Sequence, residues 1–376
     1  MMIRNKIPKN FFEEKKLILV CGSGGVGKTT ASASLALKAA RVGYKSLVLT
    51  IDPAKRLATS LGLKELTGVP TRIDMSQMAD FDRTENVHME AMMLNPKSTF
   101  DDLVIRYSPS KDIENKILNN FIYQHLSDMI AGSQEYMAME KLYELVSENK
   151  YDVIIIDTPP TTHAIDFLEA PQKMVNALSH SMIHLLLKPA LFVGKSGMKI
   201  IEKGSQMILK VFDRITGFAF LQDISEMLLS FQALLGGFEE RAAEVKKILS
   251  DSSTSFVLVT ACEAQSLKEA QVFADKITEQ GYCLEGVLLN RVHPYYEEIA
   301  GKEEMYRQKL ENKMGKVMAE KMMLVYEESM VSARRDLSYR QKLKDMISGI
   351  QFLVPVPLFE GDIHDLDGLC RLSENF

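Results

Sequence analysis

Cysteine is scarce. Cys21, Cys262, Cys283 and Cys370 are the whole complement, and no two are spaced C-x-x-C. That spacing argues against a zinc site or a disulfide framework, and it predicts a reduced, cytosolic thiol set. Long apolar runs are also missing. The most apolar stretch, Met182–Val193, is broken by His184, Lys188 and Pro189, well short of the ~20 residues that span a bilayer. The first twenty residues hold basic side chains but no apolar h-region or small-residue cleavage site, so no signal peptide is expected. Neither charge dominates: 45 Lys+Arg against 50 Asp+Glu give −5. Without a net positive field, nucleic acid is not an expected partner. Low-complexity tracts and internal repeats are absent too.

What the chain does have is an ordinary globular composition, 46% hydrophobic and 25% charged over 376 residues. It is long enough for two or three units, or for one domain with a large insertion. Short, β-branched apolar runs recur at Leu17–Val20, Ser46–Ile51, Val153–Ile156, Phe256–Val259, Leu284–Leu289 and Phe352–Val356. Such runs suit strands buried on both faces of a parallel sheet, with helical crossovers between them. About a hundred residues separate Ile156 from Phe256, far more than one crossover needs. Apolar stripes at helical spacing fill that interval, so residues 170–250 are expected to form a helical insertion, packing with helices from 101–149. Residues 1–169 and 251–376 would form the α/β core. The charged stretch Tyr295–Ser348 reads as solvated helices.

One motif carries the chemistry. Gly22-Ser23-Gly24-Gly25-Val26-Gly27-Lys28-Thr29 follows the first strand and opens a helix, the context that G-x-x-x-x-G-K-[ST] requires. The glycines free backbone N–H groups to cradle phosphate oxygens, and the helix N-terminus adds its positive end. Lys28 would bridge the β- and γ-phosphates, and the Thr29 hydroxyl would ligate Mg²⁺. Two strand ends then supply carboxylates, Asp52 before Pro53 and Asp157 before Thr158-Pro159-Pro160. In an open α/β sheet the ligand sits beyond the carboxyl ends of the strands, so both are expected near the γ-phosphate. One would serve the Mg²⁺ shell and the other the attacking water.

These residues resemble the deviant P-loop ATPases of the arsenite-pump and tail-anchored-protein-targeting family, related to the septum-placing and partition ATPases. Gly22–Thr30 carries the P-loop, Asp52-Pro53-Ala54 is similar to the first switch, and Asp157–His163 is similar to the second, D-T-A-P-T-G-H in the family. Asn95–Val104, Ala131–Leu142, Asn290-Arg291 and the Val354–Pro357 end resemble further segments. The resemblance implies a P-loop NTPase fold with a doubly wound, mainly parallel sheet and an inserted helical subdomain. It implies that Gly24, Gly25, Val26, Gly27, Lys28, Thr29 and Thr30 bind the phosphates of ATP. Thr29 would hold Mg²⁺ with Asp157 near it, and Asp52 would act on the water. Asn290, with Arg291, would meet the base, and the loop after Pro357 would cover it. His163 is either a switch residue or a structural histidine.

Three departures shape the expectation. Ser23 stands where the family places its signature lysine, the residue inserted toward a partner's nucleotide. Either Lys55 or Arg56 supplies that charge, or a paralogous, lysine-bearing ATPase does. The dimer is therefore expected as a homodimer or as such a heterodimer, with low turnover if neither source serves. The zinc-clasp C-x-x-C of the eukaryotic targeting enzymes is missing. No cysteine lies in the helical insertion, which disfavours a metalloid pump. The thiols of Cys21, Cys262 and Cys283 read as buried and structural. Met174, Met182, Met198, Met207 and Met227 read as an adaptable groove for a hydrophobic client protein or membrane-protein segment, or alternatively as a core stripe.

Overall fold

In the computed structural model of the chain, the residues described are 3–52, 56–78, 87–120, 123–124, 133–160, 169 and 235–376. The chain divides into two compact units. The first comprises Met1–Met93, Tyr151–Ile165 and Ser250–Phe376, and the second Leu94–Lys150 and Asp166–Leu249.

Eight strands build the sheet of the first unit. They are β1 (Leu17–Gly22), β2 (Ser46–Thr50), β3 (Thr71–Arg72), β4 (Met89–Met93), β5 (Val153–Asp157), β6 (Thr254–Ala261), β7 (Leu284–Val292) and β8 (Phe352–Pro357). Their order is β3-β4-β2-β5-β1-β6-β7-β8. Only β3 runs antiparallel to its neighbour. β1, β2, β5 and β6 are buried at every residue. That is why their sequences are continuously apolar rather than alternating: helices cover both faces of a parallel sheet. The register sets Val20 and Thr50 level with Asp157, so the ends of β1, β2 and β5 open on one edge.

Helices in this unit are α1 (Phe11–Glu14), α2 (Lys28–Arg41) and α3 (Arg56–Ser60), with others toward the C-terminal end of the chain. α2 turns its small residues, Ala31, Ser32, Ala33, Ala36, Ala39 and Ala40, inward, which lets it lie close on β2 and β5.

Two strands depart from the expected set. β4 is MEAMM, with Glu90 as its second residue. His88 Nε2 meets that carboxylate at 3.0 Å, and the Tyr151 hydroxyl donates to it. β3 is two residues long.

The second unit, as described, holds α4 (Pro96–Tyr107), α5 (Lys111–Leu118), α6 (Ser133–Glu148) and α7 (Leu235–Ser250). Asn95 caps α4 by accepting the Ser98 N–H at 2.9 Å, and Pro96 fits the first helical position. α7 meets α6 through a buried pair: Arg241 Nε lies 2.9 and 2.8 Å from the two Glu140 oxygens. The Tyr136 hydroxyl donates to the same carboxylate. The Arg241 guanidinium also covers the Tyr107 ring, 4.1 Å from its centroid. Of the expected insertion, 170–234 lies outside the described residues, and with it the five methionines read as groove or core.

The remaining helices of the first unit are α8 (Ala264–Glu279), α9 (Glu303–Met314), α10 (Lys316–Met346) and α11 (Leu366–Ser373). α9 buries nothing, as a solvated helix should. α10 does not fit that expectation. It buries Ala319, Met323, Met330, Ala333, Asp336 and Leu343, because it packs on α8, β7 and α9. α11 packs on α2, and Lys38 Nζ holds it through the Ser373 and Phe376 carbonyls at 2.9 and 3.1 Å.

Candidate functional site

The turn after β1 is built from three requirements. Gly22 passes so close to the Val259 carbonyl of β6 that a Cβ would collide with it. Gly27, just before α2, takes φ +96°, a left-handed conformation that favours glycine. A Cβ there would also run into the Asn290 side-chain amide. The backbone of 22–27 therefore wraps the end of α2 and presents that helix's first N–H groups outward.

The resulting cavity measures about 930 Å³. Gly24, Gly25, Gly27, Lys28, Thr29 and Thr30 form its floor. Asp52, Arg56, Thr59 and Ser60 also line it, as do Thr158 and Pro160, Asn290 and Arg291, and Pro357 with the loop 358–364. Two of the expected site residues are not on its walls. Val26 is buried, and its carbonyl accepts a hydrogen bond from Asn290 Nδ2 at 2.8 Å. Asp157 is 1% exposed. Asn290 thus braces the phosphate loop with the very amide expected to face the base. Its Oδ1 accepts the Arg291 N–H at 3.0 Å, which supports Arg291 at φ +58°.

Asp157 sits beneath the loop. Thr50 Oγ1 donates to it at 2.9 Å and Ser32 Oγ approaches at 3.5 Å. Burial pushes its carboxyl up to about 6, against the opposing pull of the Thr29 and Thr50 hydroxyls and the Lys28 ammonium. Asp157 is coupled to the cavity through the Thr29 hydroxyl, which lines it and favours the charged carboxylate. A hydroxyl and a carboxylate joined in this way, at the foot of a phosphate cradle, fit Mg²⁺, which takes one or two protein oxygens and fills its shell with phosphate and water.

Lys28 is nearly buried, and its ammonium donates to the Ser23 carbonyl at 2.8 Å. Burial lowers its proton affinity, while Asp157 works in the opposite sense. Ser23, in the place of the signature lysine, is itself buried, and its hydroxyl favours the charged form of the nearby Glu269 of α8. The local sequence carries no sign of that partner, since α8 is contributed from far along the chain. Lys55 and His163 lie outside the described residues.

A family model described as anion-transporting ATPase matches residues 15–334. The chain belongs to that family of ATPases. The ATPase get3 of Aspergillus terreus is 28% identical over 280 residues, covering 73% of this chain and 72% of that protein. The ATPase GET3 of Ajellomyces dermatitidis is also 28% identical, over 291 residues, covering 76% and 75%. Membership of that family makes the chain an ATPase that uses nucleotide, on an α/β P-loop fold. Among its described residues no helix is long and apolar enough to cross a membrane.

The thiols divide. Cys21 and Cys262 are buried, as expected, and burial pushes both up to about 12. Cys283 corrects the expectation of a third buried thiol, because it is exposed. It stands at the start of β7, where its Sγ donates to Glu285 Oε2 at 3.0 Å.

Behind the cavity wall, Asp336 of α10 is fully buried. It accepts the His293 backbone N–H at 2.9 Å and meets His293 Nδ1 at 2.7 Å. The end of β7, which carries Asn290 and Arg291, is therefore pinned to α10 through His293. Nothing in the local sequence linked His293 to a residue 43 positions on.

Proposed function

We propose that this ATPase binds MgATP in the cavity above α2, hydrolyses it, and uses the nucleotide state to open and close a dimer. The observation that carries the reading is the convergence of the 24–30 backbone, Asp52 and the Thr29–Asp157 pair on one edge of the sheet. The N–H groups of 24–30 and the positive end of α2 would take the β- and γ-phosphate oxygens. Lys28 would leave the Ser23 carbonyl for those same oxygens. Asp52 would orient the attacking water in line with the γ-phosphorus. Arg56, beside it on the cavity wall, would supply the positive charge that Ser23 lacks. Thr29 and Asp157 would hold Mg²⁺, which spreads the charge developing on the phosphate oxygens when bound. Asn290, Arg291 and the loop after Pro357 would form the base-side wall.

In this reading the helical interval 170–250 takes a hydrophobic segment of a client protein or membrane protein, with its methionines adapting to varied side chains. The ATPase works in the cytoplasm, in keeping with four free thiols.

The test is phosphate release, with mass in solution measured with and without nucleotide, for wild type and Asp52→Asn. Turnover should fall at least about a hundred-fold in Asp52→Asn, with nucleotide binding retained and a nucleotide-dependent change in mass for wild type. Tight binding without wild-type turnover would overturn autonomous hydrolysis. Ser23 would then point to a paralogous, lysine-bearing partner.

A further inference from the structure

We propose that α10 is a self-docking helix, whose outward stripe pairs antiparallel with the same stripe of a second copy of this chain. The proposal rests on the reading that the ATPase pairs with itself, but it does not require nucleotide to drive the pairing.

α10 is apolar on two sides. Its inward side carries Ala319, Met323, Met330 and Ala333, all buried. Its outward side carries Val317, Leu324 and Val331 at seven-residue spacing, with Met318 and Val325 beside them. These five are exposed by 49–70%. A solvated helix of a soluble unit has no need of a second apolar face, and a continuous one marks a contact surface. From Val317 to Val331 the stripe runs about 21 Å at 1.5 Å per residue.

The charges identify what covers it. Lys321 and Glu328 interrupt the stripe, are both exposed, and form no ion pair among the described residues. Their signs are opposite, and they stand equally far from the point between Leu324 and Val325. Turning a second copy about that point sets Lys321 against the partner's Glu328, and Glu328 against the partner's Lys321. The same operation lays Leu324 on Val325 and Met318 on Val331. Parallel pairing would set lysine on lysine and glutamate on glutamate. Charges flanking an apolar helical seam choose orientation in this way, and a self-complementary patch is what a two-fold contact requires. One helix pair is smaller than a standard stable interface of about 800 Å² per partner, so the seam adds to other contacts in the pair. Asp336, on the same helix, ties the seam through His293 to the end of β7, which carries Asn290 and Arg291.

The experiment measures the mass of the full chain across a concentration series, with and without ATP, for wild type, Lys321→Glu, Glu328→Lys and the double swap. Each single reversal places two like-charge pairs across the two-fold. Each should weaken self-association about ten-fold or more, and the swap should restore it. Unchanged thermal midpoints, expected at exposed positions, show that folding is intact. Equal association for all four proteins, or a swap that fails to restore it, would overturn the seam. If nucleotide still pairs every variant at wild-type strength, the seam falls while the nucleotide-switched dimer stands. A wild type that stays single with and without nucleotide overturns both.

Discussion

Asp157 shows how closely one side chain can be held. Its carboxyl lies under the phosphate loop with Thr29, Thr50 and Ser32 around it. Thr50→Val keeps the shape and removes one donor. A buried charged acceptor that loses a partner costs about 1–3 kcal/mol, and urea unfolding should report a loss of that size. Cys283 offers a chemical readout. Partial burial raises its proton affinity first, and the Glu285 carboxylate raises it further, to about 11. The thiolate fraction at pH 8–9 is therefore small and grows with pH. Glu285→Gln removes both the hydrogen-bond acceptor and the negative charge, so alkylation of Cys283 in that pH range should speed up. Mass spectrometry of the labelled native protein would show it, and an unchanged rate would discount the carboxylate. Cys21 and Cys262 should stay unlabelled until the chain unfolds.

At the scale of elements, the α6–α7 contact hangs on one ion pair. Glu140 and Arg241 are both buried, and removing one partner strands the other. Arg241→Met should cost about 3–5 kcal/mol, read as an earlier unfolding step in urea. The same scale shows what could be read from the residues alone. Six strands announced themselves because a parallel strand buried on both faces over most of its length has no polar side to break its apolar run. β4 did not, since Glu90 interrupts it and the His88 and Tyr151 partners that make the glutamate tolerable come from just before β4 and from the approach to the distant β5. The phosphate loop was legible because its geometry demands particular residues at fixed offsets. The Ser23–Glu269 and His293–Asp336 contacts were not, because each joins positions that only the folded sheet brings together. α10 misled for a related reason. Its dense charge suggests solvent on all sides, yet one side lies on β7 and α8.

Across the whole molecule, the cavity wall is assembled from separate places in the chain: Gly24–Gly25 and Gly27–Thr30, Asp52 and Arg56, Thr158 and Pro160, Asn290–Arg291 and Pro357–His364. A nucleotide bound there should stabilise the unit that holds the sheet. A non-hydrolysable ATP analogue at a hundred times its Kd adds about 2.7 kcal/mol, visible as a shift of that unit's transition. If Arg241→Met acts only on the helical unit, its earlier step should appear with and without the analogue. The strand order has a further outcome, in time rather than space. β1 lies between β5 and β6, so the first strand made waits for partners made much later. A ribosome adds about 5–20 residues per second, so on the order of tens of seconds separates the synthesis of Gly24 from that of Pro357. Through that interval the growing chain carries the glycine loop of a cavity whose last side, 357–364, has yet to be made.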